Sequence, residues 1–457
     1  MKKIVVKFGG SNLKESRDIE KLLQVIQYYH RPLAIVVSAF YGVTNLLLDI
    51  MNRARNDEKD IHQFSERLSE MNEKIISAYI TDPQEKQAIL KTLEQRSLEL
   101  KRQLLGINYL GEVPEFIEDA VLSFGEKFSA LMITAVLQHK GVDCEEVLPE
   151  DLKLITDGEL GNATVDFDLA APPVSERLKA DKVFIIPGFY GVSREGRKTI
   201  FGRGGSDYSA AAIANCLDAE SLDIWKDVDG FQSADPKMVP NAVSIPQLNY
   251  GEAAELAYFG AKILHPRTVE PLQDKKIPIR IFNINKIGNG IKPLTIINDH
   301  IEITDHVVKS VTYSDDFSVI RFSGPGVGIK PGLMERVTRR LGEDRINIKM
   351  IFNSNTFMNL YFSQADADRA YLKLKDLPLP GFYTVELMKE LSTIAIVGCG
   401  LSEKPGIAAR LFRAVADAGI NVKTISSGAS DITTYFVVDK TDREEAIRAI
   451  HAEFFSN

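Results

Sequence analysis

The sequence predicts an α/β protein: a three-layer αβα domain around a mainly parallel sheet, followed by two small ferredoxin-like βαββαβ modules. Three observations predict it. Short apolar strands alternate with helical patterns over residues 1–285, and glycine-rich turns follow several of those strands. A pattern beginning at residue 318 then recurs at residue 392.

KIVVKF (3–8) reads as a buried strand running into Gly9-Gly10-Ser11. A helical pattern continues to about Tyr29, and PLAIVVSAF (32–40) is a second strand. Strand, glycine turn, helix, strand is the opening of a parallel sheet. Residues 55–110 are rich in Glu, Lys, Gln and Leu with helical spacing, which predicts a pair of solvent-exposed helices, a lid or insertion beside the sheet. An amphipathic helix follows Pro114 and carries FGEKFSALMITAVL (124–137); strands are expected near 144–148 and 182–187. SREGRK suits a hairpin leading into FGRGGSDYSA (201–210) and an alanine-rich helix. SLDIW (221–225) is a strand ending in KDVDGFQSADPK, and IPIRIF (277–282) is expected as the last strand of the domain.

Residues 286–306 break the composition with glycine, asparagine and proline and read as a linker. Beyond it, 318–351 and 392–425 align: a strand, a glycine turn, Lys-Pro-Gly before a helix, then Ile-Asn-[Ile/Val]-Lys opening another strand. The modules are expected at 307–380 and 381–457.

The totals narrow the function. At 457 residues with 44% hydrophobic and 26% charged residues, the chain is an ordinary soluble composition long enough for two or three domains. The net charge of −8 excludes a global basic field for nucleic acid, so cations that hold anionic substrates must be local. Cys144, Cys216 and Cys399 show neither CxxC nor zinc spacing and read as buried thiols in a reducing compartment. No signal peptide is visible and no apolar stretch approaches bilayer length, so a cytoplasmic protein with no membrane partner is expected.

Lys7 ends the first strand just before two glycines, where open α/β sheets bind ligands, and glycine amides there can approach a phosphate. Neither GxxxxGK[ST] nor a suitably placed GxGxxG is present, and GPGVG (324–328) is a lone cluster inside a repeat. In FGRGGSD, a cation and a carboxylate share a flexible turn at a helix start, a natural seat for an anion. Asp229 and Asp235 read as turn carboxylates, Trp225 as core, and His265 as packing or capping rather than a base.

Taken together, KFGGSN, VVSAFYGVTNLL, SFGEKFSA, FGRGGSDYSAA, DIWKDVDGFQSADPK and ELAYFGAKILHPRT resemble, in this order, the blocks of aspartate kinases of the amino-acid kinase family, and the C-terminal repeats resemble their tandem ACT modules. The resemblance covers nearly the whole chain. With Asn457 as its last residue, it is similar to the monofunctional forms. It implies transfer of the ATP γ-phosphoryl group, with Mg²⁺, to the side-chain carboxylate of L-aspartate. Such a carboxylate is already ionised at neutral pH and needs no general base, so the absence of a convincing catalytic histidine is expected.

By position the resemblance implies that Lys7 and Lys262 bind the ATP phosphates, with Phe8, Gly9 and Gly10 at the same turn. Arg203 would grip the substrate α-carboxylate, Glu126 would pair with its ammonium, and Ser38 and Thr44 would frame it. Asp207 would orient Lys7 or help hold the metal-bound phosphates, and Lys226, Asp227, Gln232 and Lys237 would line the nucleotide end. No residue is expected to be a dedicated metal ligand. Lys226, Gln232 and Lys237 replace the threonine, tyrosine and arginine usual in the family, and Phe40-Tyr41 are bulkier than usual. An amino-acid effector, lysine first and threonine second, is implied at the ACT interface around Gly332, Leu333, Asn347, Ile348 and Lys349; lysine-inhibited relatives tend to carry an aspartate where Lys349 stands. ACT pairing implies a homodimer or higher homo-oligomer.

Overall fold

The computed structural model describes residues 2–14, 18–287, 291–301, 307–325, 327, 331–377 and 384–455. Contacts divide it into two units. The first comprises residues 1–231, 244–257 and 262–301, and the second comprises 232–243, 258–261 and 302–457. The expected boundary near 285 is therefore modified: two short stretches from inside the N-terminal half pack with the C-terminal unit.

The first unit is built on an eight-stranded sheet. Its strands are β1 (Ile4–Phe8), β2 (Leu33–Val37), β3 (Cys144–Glu146) and β4 (Val183–Pro187), then, beyond a separate hairpin of β5 (Tyr190–Val192) and β6 (Lys198–Ile200), β7 (Ser221–Lys226), β8 (Gln247–Asn249), β9 (Ile279–Asn283) and β10 (Thr295–Asn298). The order is β3-β4-β2-β1-β7-β9-β10-β8, parallel except where β10 runs against β9. IPIRIF is thus not the last strand: the expected linker contributes β10, whose Ile297 is buried.

The strands read as near-continuous apolar runs because both faces are covered. Alternate residues separate the faces. Ile4, Val6 and Phe8 of β1 join a core with helices 18–29, 43–54, 58–77, 83–110 and 124–139, while Lys7 belongs to the alternate set, on the face that helix Gly205–Cys216 covers.

Residues 55–110 form two helices, Glu58–Ser77 and Pro83–Leu110, capped by Asp57 and Asp82. They are not solvent-exposed throughout. Ile61, Leu68, Ile76, Leu93, Leu100, Leu104 and Ile107 enter the main core, so the pair is a packed layer. A second expectation also changes: Glu115–His139 is long and apolar enough to cross a bilayer by length and composition, yet 89% of its most apolar stretch is buried inside the protein. That sequence is apolar on all sides because core surrounds it. All three cysteines are buried thiols.

The second unit holds two four-stranded sheets. One contains β12 (Ser318–Ser323), β13 (Met350–Asn353), β14 (Phe357–Phe362) and β15 (Thr384–Met388) in the order β13-β14-β12-β15, a complete βαββαβ module with helices 333–343 and 364–374. The other contains β11 (Ser310–Ser314), β16 (Leu391–Val397), β17 (Thr424–Ser426) and β18 (Thr433–Asp439) in the order β11-β16-β18-β17. Here the final strand of the module comes from upstream, because β11 pairs antiparallel with β16 from Ser310↔Val397 to Ser314↔Thr393. The first module is therefore inserted within the second, and the boundary expected at 380 falls before β15, which completes the first sheet. The GPGVG stretch lies partly outside the described residues.

Candidate active site

A cavity of about 390 Å³ opens at the carboxyl edges of the parallel strands. Ser38 directly follows β2 and its amide donates to the Phe8 carbonyl at 3.1 Å; Phe189 follows β4; Lys7 is the penultimate residue of β1. Lys7, Ser38, Thr44, Glu126, Arg203 and Asp207 all line this one space, with Gly10, Phe40 and Tyr41.

The centre is a carboxylate held between two ammonium groups. Lys7 Nζ pairs with Asp207 Oδ1, and Lys226 Nζ lies 3.4 Å from Asp207 Oδ2. Asp207 stands in the first turn of helix Gly205–Cys216, where the helix dipole also favours a negative charge. Burial alone would raise its pKa, but the Lys226 and Lys7 charges outweigh it and hold the carboxyl at about 2. Burial pulls the Lys7 pKa down against the attraction of Asp207.

Glu126 behaves oppositely. It sits on helix Phe124–His139, only 3% exposed, and burial pushes its carboxyl up to about 8. Ser206 Oγ donates to Oε1 at 3.3 Å, while Oε2 is buried without a hydrogen-bond partner. The cavity thus holds an acceptor that a positively charged ligand group would satisfy. Arg203 is exposed at the rim on the loop before helix Gly205–Cys216, and Thr44 is in the first turn of helix Val43–Ala54.

Glycine is required at two turns here. A side chain on Gly10 would come within 2.9 Å of the Ala39 carbonyl oxygen, and one on Gly204, at φ 73°, would run into the His265 ring. His265 is thus a packing residue under the loop, and burial lowers its pKa. Trp225 is fully buried between Phe8 and Phe282.

The expected nucleotide residues are not gathered in the same way. Phe8 contributes its carbonyl, since its ring is core. Gly9 accepts from the Asn12 amide at 2.9 Å within the turn. Lys226 reaches Asp207, but Asp227 is exposed, 3.9 Å from Lys14, and Lys262 is exposed on the turn after helix Tyr250–Tyr258. None of these three lines the cavity. Gln232 and Lys237 belong to the C-terminal unit. There the expected effector residues take varied roles: Leu333 is module core, Gly332 caps a helix at φ 80°, Asn347 is exposed and Ile348 packs partly. Lys349 Nζ donates to the Asp316 carbonyl at 2.7 Å and carboxylate at 2.8 Å, over the Phe317 ring. Among the described residues, no group of three or more His, Cys, Asp or Glu could hold a metal ion.

Sequence reasoning missed several residues. Asn12 donates to the Trp225 carbonyl at 2.7 Å and ties the KFGGSN turn to β7; a polar residue in a turn gave no signal of that reach. Phe189, a cavity wall at φ 75°, holds a conformation unusual for a bulky side chain, which local sequence does not reveal. Asp119 and Arg267, both outside the cavity, are taken up below.

A mainly parallel sheet with lysines and glycine turns at its carboxyl edge is the arrangement of the amino acid kinase family, and residues 2–283 match that family's model: the chain belongs to it. Residues 394–454 match an ACT domain model. At the level of individual relatives, the chain is 32% identical over 99% of its length to the bifunctional aspartokinase/homoserine dehydrogenase of Haemophilus influenzae, covering 56% of that protein. It is 29% identical to the aspartokinase of Saccharomyces cerevisiae, covering 99% of this chain and 93% of that one. The chain spans little more than half the length of the bifunctional relatives it matches. Among solved structures, Clostridium acetobutylicum aspartate kinase is similar with a TM-score of 0.77 at 25% identity, covering 99% of this chain and 100% of that one. Escherichia coli aspartokinase III, in complex with aspartate and ADP, shares the fold with a TM-score of 0.83 at 24% identity, covering 99% of this chain and 100% of that one.

Proposed function

We propose that the chain is an aspartate kinase, transferring the γ-phosphoryl group of Mg-ATP to the side-chain carboxylate of L-aspartate to give 4-phospho-L-aspartate and ADP, the first step of aspartate-family (lysine, threonine, methionine) amino-acid biosynthesis. The observation that supports it most directly is a charge pattern: a buried Lys7–Asp207 pair and a rim arginine lining one cavity, part-buried Lys226 reaching the same Asp207, and a buried cavity carboxyl with an unpartnered oxygen. That pattern is complementary to a small amino acid with two carboxylates and one ammonium.

The chemistry needs no proton transfer. An aspartate carboxylate oxygen forms the new P–O bond as the bond to the ADP oxygen breaks, so the protein's task is positioning and charge neutralisation. Lys7, set by Asp207, meets the phosphates; Lys226 extends the positive charge toward the nucleotide. Arg203 takes the α-carboxylate through its fork, and Glu126 takes the ammonium while Ser38 and Thr44 frame the substrate. Lys262, Asp227, Gln232 and Lys237 remain proposed nucleotide contacts. The one strongly ionised carboxyl in the cavity is held by two lysines, so Mg²⁺ is proposed to arrive on the nucleotide and not in a protein-built cage.

Regulation is proposed through the C-terminal modules, with lysine the leading effector and threonine the alternative, in a homodimer or larger homo-oligomer. The Lys349–Asp316 pair supports weakened lysine control, since it places an ammonium where lysine-inhibited relatives tend to have a carboxylate. The deciding experiment is trapping of the acyl phosphate as its hydroxamate with Mg-ATP and a panel of aspartate, glutamate, N-acetylglutamate and nucleoside monophosphates, with and without millimolar lysine or threonine. Product with aspartate alone is expected. Product with another acceptor overturns the substrate assignment, and amino-acid binding without any product indicates a sensor that has lost turnover.

A further inference from the structure

The loop carrying Arg203 is fixed by two charged groups that never reach the cavity. Asp119, 2% exposed on helix Glu115–Leu122, accepts at Oδ2 from the amides of Gly161 and Ile200, both at 3.0 Å. Ile200 is the last residue of β6, immediately before Phe201-Gly202-Arg203-Gly204. From the other side, Arg267 donates through NH1 to the Phe201 carbonyl at 2.9 Å and to Asn162 Oδ1 at 2.7 Å. Its NH2 donates to the Ala163 carbonyl at 2.8 Å and to Thr164 Oγ1 at 3.2 Å. The guanidinium also lies 4.6 Å over the Tyr208 ring, on the helix that carries Asp207.

The two groups therefore clamp segment 161–164 against the start of the arginine loop. Each makes several bonds from one group: a buried carboxyl taking two N–H groups at one oxygen, and a planar fork, which lysine cannot imitate, serving four acceptors at once. Gly202, at φ 70°, has the Gly161 carbonyl 2.9 Å from where a side chain would begin, so only glycine lets the loop lie this close to that segment.

We infer that Asp119 and Arg267 are positioning residues that hold Arg203 in place for the acceptor's α-carboxylate, and so set acceptor affinity without touching substrate. The inference rests on the proposed acceptor site. Wild type, Arg267→Lys, Arg267→Ala, Asp119→Asn, Asp119→Ala and Asn162→Ala are compared by steady-state kinetics, thermal melting and limited trypsinolysis, with mass spectrometry timing the cut after Arg203. For both Arg267 variants the KM for aspartate is expected to rise by about tenfold or more while kcat and the KM for ATP stay within about threefold. Cleavage after Arg203 should accelerate relative to other sites. Asp119→Asn should recover most of what Asp119→Ala loses, because an amide oxygen still accepts both N–H groups. Asn162→Ala, an exposed change that keeps the fold, should move the same two readouts in the same direction by less.

Equal loss in kcat and both KM values, or unchanged cleavage after Arg203 in Arg267→Lys and Asn162→Ala, overturns the inference. If wild type shows no turnover with aspartate, the acceptor assignment fails on its own; the protease readout still reports whether the clamp fixes the loop.

Discussion

Charge is used in opposite ways by the two units. In the first, Lys7, Glu126 and Asp207 are all buried around one space, and two of them are pushed far from their ordinary pKa in opposite directions: Asp207 down to about 2, Glu126 up to about 8. In the second, the expected effector cation Lys349 sits part-exposed in a local pair with Asp316, the kind of contact that stabilises little. Burying charge is costly unless a partner or ligand repays it. A cavity that keeps a buried Lys7–Asp207 pair beside a carboxyl with an unpartnered oxygen is built for something that arrives later.

Substitutions sharpen this contrast in order of size. Lys7→Ala and Asp207→Ala should each lower kcat by about 10³-fold or more, since each removes preorganised charge from the transferring group; near-normal single-turnover rates in Lys7→Ala would relocate the phosphate site. Arg203→Ala should chiefly raise the KM for aspartate, by roughly 10²-fold, with kcat moved far less, because a bidentate carboxylate contact at the rim is lost. A matched loss in kcat would instead place Arg203 on the moving phosphoryl group.

The next effect is one of pH. In the empty cavity Glu126 holds its proton below about pH 8. The ammonium proposed to bind there requires the carboxylate and would therefore expel that proton. The KM for aspartate should fall as pH rises toward 8, by about tenfold per unit in the limit, and then level off. Glu126→Gln should flatten that profile, and an unchanged slope in the variant rules out Glu126 as the ammonium's partner. The smallest expected effect lies in the other unit. Lys349→Ala should leave unregulated turnover within about twofold and lower stability by no more than about 1 kcal/mol, while altering the response to lysine; an unaltered response removes Lys349 from the effector site.

What local sequence could reveal follows the same division. Strands β1–β4, β7 and β9 were legible as short apolar runs, and Lys7, Gly10 and Ser38 as residues at the ends of those runs, because covered strands and carboxyl-edge turns impose composition locally; β8 and β10, too short to carry such a pattern, were not. Lys262 and Asp227 look alike in sequence to residues of the cavity yet lie exposed outside it, since a lysine or an aspartate in a turn carries no mark of where its side chain ends. Asp119 lies in no motif that marks it in the sequence, yet it is nearly inaccessible. The helices of 55–110 have polar sequences whose thin apolar stripe is enough to seat them on the core. β11 could not be assigned from periodicity, because its partner β16 lies beyond an entire intervening module.

That last pairing makes the C-terminal unit non-modular as a genetic unit. A fragment beginning after Ser314 would carry every repeat motif and still lack an edge strand, leaving one side of Leu391–Val397 open to pairing with other chains. Recombination that exchanges the second module must move two separated stretches of gene together, whereas the first can be replaced as one contiguous cassette. Transplantation is accordingly simpler for the inserted module than for the one that encloses it.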